Sequence, residues 1–247
     1  MSTGDLWVHG PLLPLLSDGE VHIWRADLAT VSPRLEELLC DGERTRAARI
    51  LNERDGELWR RSRGLLRSLL GRYLQLEPSS LRFSIGTHGK PALQHPDELP
   101  SPVQPAAHQR TPASTDRVCF NMSHSDGLAL YAFSRSGAVG VDVEVARRPV
   151  DAVAIAARML GPAQARRLEA LDPPLRQREF LRAWVCYEAE LKCLGVGIGP
   201  SPAGTPAYEP WVAEIELGLR PEQGPTAAAA VAAEQRAREL CFWDWQL

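Results

Sequence analysis

The pattern of apolar and polar positions predicts β-strands in seven short segments. Some alternate strictly, as in the segment that begins at Ala138, whereas others are brief apolar runs bounded by turn residues. Both patterns are typical of strands. The segments are residues 21–28, 81–85, 118–122, 128–134, 138–145, 211–217 and 240–246. The third and fourth are expected to form a hairpin around a turn at Ser123–Gly127.

Apolar residues at helical spacing predict four helices between these strands. The clearest run carries arginines on its other faces and has leucines at Leu65, Leu66, Leu69, Leu70 and Leu74. The predicted helices are residues 32–39, 44–76, 151–171 and 175–194. Residues 94–116 are rich in Pro, Ala, Ser and Gln without periodicity, so we expect a surface loop there.

The order of strand, helices and strands occurs twice, which predicts an α+β fold of two similar halves about a pseudo-twofold axis. The halves are residues 1–137 and 138–247. The sequence VHIWRADL resembles VGVDVEVA in position, LRFSIG resembles WVAEIEL, and RVCFNMS resembles ELCFWDW. The strand LALYAFS has no counterpart in this comparison. The second half is therefore expected to lack its last strand and to expose a sheet edge.

Composition and charge exclude several functional classes. The net charge is −3, whereas proteins that follow nucleic-acid phosphates usually carry a basic excess. The five cysteines are odd in number and widely spaced, so we expect reduced thiols and a cytoplasmic location. The apolar stretch Leu12–Leu16 is split by Pro14 and is too short for a membrane span or an export signal. A monomer without nucleic-acid or membrane partners is expected.

Lysine is scarce in this chain, because Lys90 and Lys192 are the only lysines among its 28 basic residues. Arginine presents a planar fork, whereas lysine presents a compact ammonium group. Two sites that need an ammonium group would explain the pattern. A compositional bias that happened to spare two lysines would explain it equally well.

The segment 139–145 places two carboxylates on one face of a strand. Its valines alternate with Gly140, Asp142 and Glu144, so Asp142 and Glu144 project from the same side, about 6 to 7 Å apart. Like charges this close become favourable when a cation lies between them. Hard oxygen ligands without histidine or thiolate suit Mg²⁺. The alternative is an ordinary amphipathic strand with its acidic face in solvent.

A second group lies along one stripe of a predicted helix. Trp184, Glu188 and Lys192 are each four residues apart, which puts an aromatic ring, an acid and an ammonium group on one side. An exposed ion pair between Glu188 and Lys192 is the commoner meaning of this spacing. The tryptophan and the scarcity of lysine favour a functional role instead.

Two further motifs lie at turns. Asn121-Met122-Ser123-His124-Ser125 lies at the end of a predicted strand, where polar side chains and backbone amides can bind phosphate. A lone histidine in a turn is more often structural. Gly89-Lys90-Pro91 presents the other lysine from a turn, and by itself this tripeptide indicates only a loop.

Together, in this order, the four motifs resemble the surfactin-synthetase-activating type of 4'-phosphopantetheinyl transferase. That family shows a GKP turn, an N-x-SHS run, a G-x-D-x-E strand and a W-x-x-x-E-A-x-x-K helix. The resemblance covers about residues 40–200. It implies two similar halves with coenzyme A and the active site in the cleft between them. It also implies transfer of phosphopantetheine from coenzyme A to a serine of an acyl- or peptidyl-carrier protein, with release of 3',5'-ADP, in polyketide, nonribosomal-peptide or fatty-acid synthesis.

The resemblance also assigns roles to residues. It implies that Asp142, Glu144 and Glu188 bind Mg²⁺, which also contacts the coenzyme A pyrophosphate. The catalytic set is then Glu188, Lys192 and Asp142, with either Glu188 or a metal-bound water taking the serine proton. Lys192, Ser123 and His124 are assigned to phosphate oxygens and Lys90 to the nucleotide. Arg44 and Arg46 are assigned to the 3'-phosphate.

The chain departs from the family pattern at Tyr187, where lysine often precedes the helix glutamate. Two other functions therefore stay open at this stage. One is a non-catalytic module of the same fold that binds coenzyme A or a carrier protein. The other is a magnesium-dependent phosphohydrolase, in which water replaces the serine.

Overall fold

The structure is a computed structural model that describes residues 6–86, 88–94, 118–197, 208–218 and 226–246. It has mixed α and β structure, as the sequence predicts. The described strands form a five-stranded sheet, a three-stranded sheet and a short hairpin. Most of the predicted surface loop at residues 94–116 lies outside the described residues. No described helix is long and apolar enough to cross a membrane.

The first sheet has the strand order β1-β10-β2-β6-β5. Its strands are β1 (Val8–His9), β2 (Glu20–Asp27), β5 (Cys119–Ser125), β6 (Leu128–Ser134) and β10 (Glu239–Asp244). The helix α2 (Glu53–Leu74) covers it, and leucines of α2 share a buried cluster with Trp24, Tyr131 and Phe133. This leucine stripe is the one that the helical spacing predicts.

The second sheet has the order β7-β9-β8, and all its pairings are antiparallel. Its strands are β7 (Val139–Val145), β8 (Trp211–Glu214) and β9 (Ala227–Ala233). The helix α5 (Pro173–Leu194) packs on this sheet, while α3 (Ala152–Met159) and α4 (Pro162–Glu169) form a small cluster beside it. The helix α5 begins after Asp172, whose side chain accepts a hydrogen bond from Leu175 N, and ends at a left-handed Gly195.

The sequence comparison between the halves was wrong about the last strands. β10 does not close the second sheet but enters the first sheet, where it runs parallel to β2 and β1. The strand β9, which the pattern did not predict, lies at the centre of the second sheet. The second sheet therefore has the same order and directions as β2-β6-β5. The predicted boundary at residue 137 and the pseudo-twofold axis remain predictions.

Two predicted helices are each divided in the structure. The run 44–76 covers the second half of α1 (Asp41–Ala47) and then α2, because the Asn52 side chain accepts a hydrogen bond from Asp55 N and starts a new helix. The run 151–171 is divided at Gly161, whose positive φ precedes Pro162. The predicted helix 32–39 is a 3-10 helix over Pro33–Leu38.

The two predicted turns also differ in detail. β5 continues through Ser125, so the turn is confined to Asp126 and Gly127, both with positive φ. The hairpin that contains Lys90 is formed by β3 (Phe83–Ile85) and β4 (Pro91–Leu93).

Candidate active site

The carboxylates of β7 face the helix α5. Val139, Val141 and Val143 are fully buried in the cluster beneath the sheet, so the intervening residues point to the opposite side. Asp142 is only 1% exposed. The interpretation of β7 as a strand with a solvated acidic face is therefore wrong for Asp142.

Gly140 allows α5 to lie unusually close to β7. A Cβ atom at Gly140 would lie 2.1 Å from Ala189 O and 2.4 Å from Cys193 N, distances that no real side chain tolerates. Small residues of β9 complete the surface under the helix, since Ala230 is paired with Asp142 and Ala228 with Glu144. This close approach lets side chains of α5 reach those of β7.

Lys192 links the carboxylates of the strand and the helix. Its Nζ donates a hydrogen bond to Asp142 Oδ1 and another, 3.1 Å long, to Ser123 Oγ. The same Nζ lies 3.4 Å from Glu188 Oε2. Ser123 Oγ in turn donates to Asp142 Oδ1 at 2.8 Å. The structure thus brings together four of the predicted site residues, and Glu188–Lys192 is not merely an exposed helix pair.

Glu144 lies at the other end of the same row. Its Oε2 accepts a hydrogen bond of 2.8 Å from Ser125 Oγ. Burial and the charge of Asp142 raise its pKa, against the effects of Ser125 and Lys192. Burial likewise raises the pKa of Glu188, and the charge of Asp142 adds to this effect. Carboxylates in such surroundings are stabilised by a cation.

Alternate residues of β5 hold β7 in place. Asn121 Oδ1 accepts a hydrogen bond from Val141 N at 2.9 Å, and Ser125 Oγ accepts one from Val145 N at 3.1 Å. Together with Ser123, these side chains form a period-two row that faces β7. Sequence reasoning treated the motif only as a phosphate site and missed this second role, although the spacing 121, 123, 125 within a strand would have indicated it.

Replacing Asn121 by alanine is expected to destabilise the protein. The Val141 amide beside Asp142 would lose its partner in a buried place, which costs about 1–3 kcal/mol. Urea unfolding measures this free energy. Ser84→Ala is a matched control, because Ser84 Oγ makes an exposed contact of 3.4 Å with Ala92 O. Equal stability of Asn121→Ala and Ser84→Ala would contradict the role of Asn121.

The carboxylates of Asp142, Glu144 and Glu188 offer a free ligand oxygen for a divalent cation, but they are not arranged as a preformed metal site. Asp142 Oδ2 is buried and has no hydrogen-bond partner, and such an orphaned carboxylate oxygen is a ready ligand for a hard cation. No three His, Cys, Asp or Glu side chains among the described residues are grouped so that they could hold a metal ion. The ammonium of Lys192 lies between Asp142 and Glu188 instead.

His124 borders a cavity beside this row of carboxylates. The cavity has a volume of about 330 Å³ and is lined by Asp55, Leu58, His124, Ser125, Asp126, Val145 and Arg147. These residues come from both sides of the predicted boundary at residue 137. Burial lowers the pKa of His124, and the charge of Lys192 lowers it further.

A larger cavity, of about 630 Å³, is lined by Tyr187, Cys186, Glu190 and residues of α3, α4 and β8. None of the predicted site residues lines it. We place the candidate site at the smaller cavity, because it is lined by His124 and by Ser125, whose Oγ donates a hydrogen bond to Glu144.

Three predicted nucleotide ligands have other contacts in the structure. The ammonium of Lys90 donates to backbone carbonyls of β7 and α5. Arg44 is exposed and donates to Glu37 O, and Arg46 lies with its Cζ 5.7 Å from the Trp59 ring centre. Their contacts with the nucleotide remain predictions.

Trp184, the first member of the predicted stripe on α5, packs in the cluster of α3 and α4. Its ring stacks on Phe180 with 5.9 Å between ring centres. This packing accounts for the tryptophan without a role in the site.

Glu43 lies on α1 beside Arg44 and Arg46 and pairs with arginines of α2. It is buried and accepts hydrogen bonds from Arg63 and Arg67. Burial alone would raise the pKa of Glu43, but the hydrogen bond from Arg67 and the charges of both arginines lower it. Glu43 thus neutralises two buried arginines of α2, a role that sequence reasoning did not assign.

Comparison with known proteins identifies the class. The family model of the 4'-phosphopantetheinyl transferase superfamily matches residues 138–245. The 4'-phosphopantetheinyl transferase HetI of Nostoc sp. is 33% identical over 216 residues, which cover 86% of this chain and 79% of HetI. The 4'-phosphopantetheinyl transferase Sfp of Bacillus subtilis is 31% identical over 134 residues, 54% of this chain and 50% of Sfp.

The chain belongs to the 4'-phosphopantetheinyl transferase superfamily. The predicted enzyme class is thereby confirmed: enzymes of this family use coenzyme A as co-substrate and act on carrier proteins. The similarity to HetI and the more distant similarity to Sfp establish the superfamily, not the surfactin-activating type.

Proposed function

We propose that the protein transfers 4'-phosphopantetheine from coenzyme A to a carrier-protein serine in a magnesium-dependent reaction, as a transferase of the surfactin-synthetase-activating type. The observation that carries this proposal is the meeting of Asp142, Glu188 and Lys192 beside a cavity lined by His124. The strand and the helix that supply these groups carry the motifs that resemble that type.

In the proposed reaction, the serine Oγ attacks the β-phosphorus of coenzyme A. The bond from that phosphorus to the bridging oxygen breaks, and the leaving group is 3',5'-ADP. Glu188, whose Oε2 lies 3.4 Å from Lys192 Nζ, is the proposed acceptor of the serine proton. Lys192 exchanges its contact with Asp142 for the pyrophosphate oxygens and offsets their growing charge.

Asp142, Glu144 and Glu188 would hold Mg²⁺, with Asp142 Oδ2 as the ligand that has no other partner. Bound there, the ion would supply electrostatic stabilisation of the pyrophosphate charge. The hydroxyls of Ser123 and Ser125 orient the carboxylates through their hydrogen bonds to Asp142 and Glu144. We expect Ser123 and His124 to contact phosphate oxygens from the cavity side.

A direct transfer experiment tests this proposal. The protein is incubated with coenzyme A, Mg²⁺ and apo carriers from fatty-acid, polyketide and nonribosomal-peptide synthesis, and each carrier is then weighed by mass spectrometry. The expected result is a gain equal to one phosphopantetheine group on at least one carrier. A folded protein that modifies none of them would refute the proposal. Cleavage of coenzyme A without any carrier would indicate a phosphohydrolase instead.

A further inference from the structure

Lys90 joins the turn between β3 and β4 to both elements that carry the candidate site. Its Nζ lies 2.6 Å from Lys192 O, 3.1 Å from Val139 O and 3.3 Å from Cys193 O. Val139 is the first residue of β7, and the other two carbonyls belong to the last turn of α5. These three contacts account for all three hydrogens of the ammonium group.

The last carbonyl groups of α5 need hydrogen-bond donors from outside the helix. The last four carbonyl groups of an α-helix lack intrahelical donors, and the helix dipole makes this end negative. In α5, the amides of Gly195 and Val196 both donate to Leu191 O. Lys90 supplies donors to the carbonyls of Lys192 and Cys193, which follow.

The geometry also explains why this position carries lysine in a chain of arginines. Three carbonyl oxygens converge on one point, and a compact ammonium group fits there better than a planar guanidinium fork. The side chain is largely enclosed, and burial lowers the pKa of Lys90. An added Cβ at the left-handed Gly195 would lie 3.9 Å from Lys90 Cδ, an ordinary contact, so the lysine stem lies against the end of the helix.

From these contacts we propose that Lys90 is a positioning residue for the transfer reaction: it fixes the end of α5 against the start of β7. The backbone oxygen that Lys90 binds belongs to Lys192, whose side chain contacts Asp142, and Glu188 is one turn earlier on the same helix. A displacement of the helix end would separate these groups from the carboxylates of β7. The inference rests on the function proposed above and assigns Lys90 a role other than nucleotide binding.

The test compares Lys90→Met with Arg82→Met. Arg82 is a matched control, because its NH1 donates to three carbonyls, of Ser79, Ser80 and Leu81, at the end of a 3-10 helix over Pro78–Ser80. We measure kcat and KM with coenzyme A and an apo carrier, and the Kd of coenzyme A by calorimetry. All measurements are made where circular dichroism shows each variant to be folded.

Lys90→Met is expected to lower kcat by about 10- to 100-fold, since small displacements of catalytic groups have effects of this size. The Kd of coenzyme A should change by less than about threefold, because no phosphate contact is lost. Arg82→Met should change neither quantity. An unchanged kcat in Lys90→Met would overturn the proposal. If the Kd of coenzyme A rose about tenfold or more at the same time, Lys90 would behave as a nucleotide ligand instead.

Hydrogen exchange provides a readout that does not depend on transfer. Lys90→Met should accelerate exchange of the amides of Gly195 and Val196, and Arg82→Met should not. If the wild-type protein transfers nothing, the proposed function fails while this readout still decides whether Lys90 holds the helix end. If Lys90→Met does not fold, Lys90→Arg replaces it, with the same faster exchange and a reduced kcat at similar Kd as the expected results.

Discussion

Replacing Asp142 by asparagine is expected to lower kcat/KM for carrier modification by about 100- to 1,000-fold, the range seen when one electrostatic group of an active site is lost. Asparagine has nearly the same shape and can still accept the hydrogen bond from Ser123. It removes the negative charge that Lys192 contacts and the oxygen Oδ2 that has no partner in the structure. The loss should therefore appear in the reaction rather than in folding.

Asp27→Asn is the matched control for Asp142→Asn. Asp27 is exposed at the end of β2 and accepts a hydrogen bond from Ala29 N, which asparagine can also accept. The carrier mass assay and circular dichroism are applied to both variants. Activity of Asp142→Asn within about threefold of the wild type would remove Asp142 from the catalytic set, because an effect of that size is about 0.6 kcal/mol in the barrier.

Replacing Gly140 by alanine is expected to have the largest effect on stability. The new Cβ would collide with backbone atoms of Ala189 and Cys193, and a helix backbone cannot move aside as a flexible side chain can. Overpacking of this kind costs about 1–3 kcal/mol or more. Displacement of α5 should also reduce the transfer rate in the protein that remains folded.

Urea unfolding and the transfer assay measure the two effects of Gly140→Ala. Gly42→Ala is the control, since a Cβ at Gly42 in α1 would lie 3.9 Å from Cys40 Sγ, an ordinary contact. Alanine is favoured over glycine within a helix by up to about 1 kcal/mol, so the control should be neutral or more stable. If Gly140→Ala were equally stable, the close approach of α5 to β7 would not be required.

The sequence predicted most elements of the fold because their periodicity is strong. The leucines of α2 and the alternating valines of β7 are buried as their spacing requires. The strand β9 was missed because its sequence, AAAAVAA, has no alternation and alanine is uncommon in strands. It forms a central strand because small side chains fit beneath α5, where Ala228, Ala230 and Ala232 meet Val185, Ala189 and Cys193. Only the packed structure reveals that requirement.

The candidate site was also predicted in part. The pattern placed Asp142 and Glu144 on one face and Glu188 and Lys192 on one stripe, and the structure brings Asp142, Glu188 and Lys192 together.

The partner of β10 was not predictable, since a strand pattern carries no information about which sheet it joins. The contacts of Lys90 join residues about 50 and 100 positions away in the sequence. Local patterns do not encode such contacts.

We propose that carboxylates of β7 and α5 together bind a divalent ion and that the transfer reaction depends on this ion. A Mg²⁺ titration of the initial transfer rate tests this proposal in the wild type, in Glu188→Gln and in Glu190→Gln. Glu190→Gln is the control, because Glu190 lies on the same helix but lines the larger cavity. We predict no transfer in EDTA, and a Mg²⁺ concentration for half-maximal rate that rises at least about tenfold in Glu188→Gln but not in Glu190→Gln. Transfer that persists in EDTA, or identical titrations of all three proteins, would contradict the account.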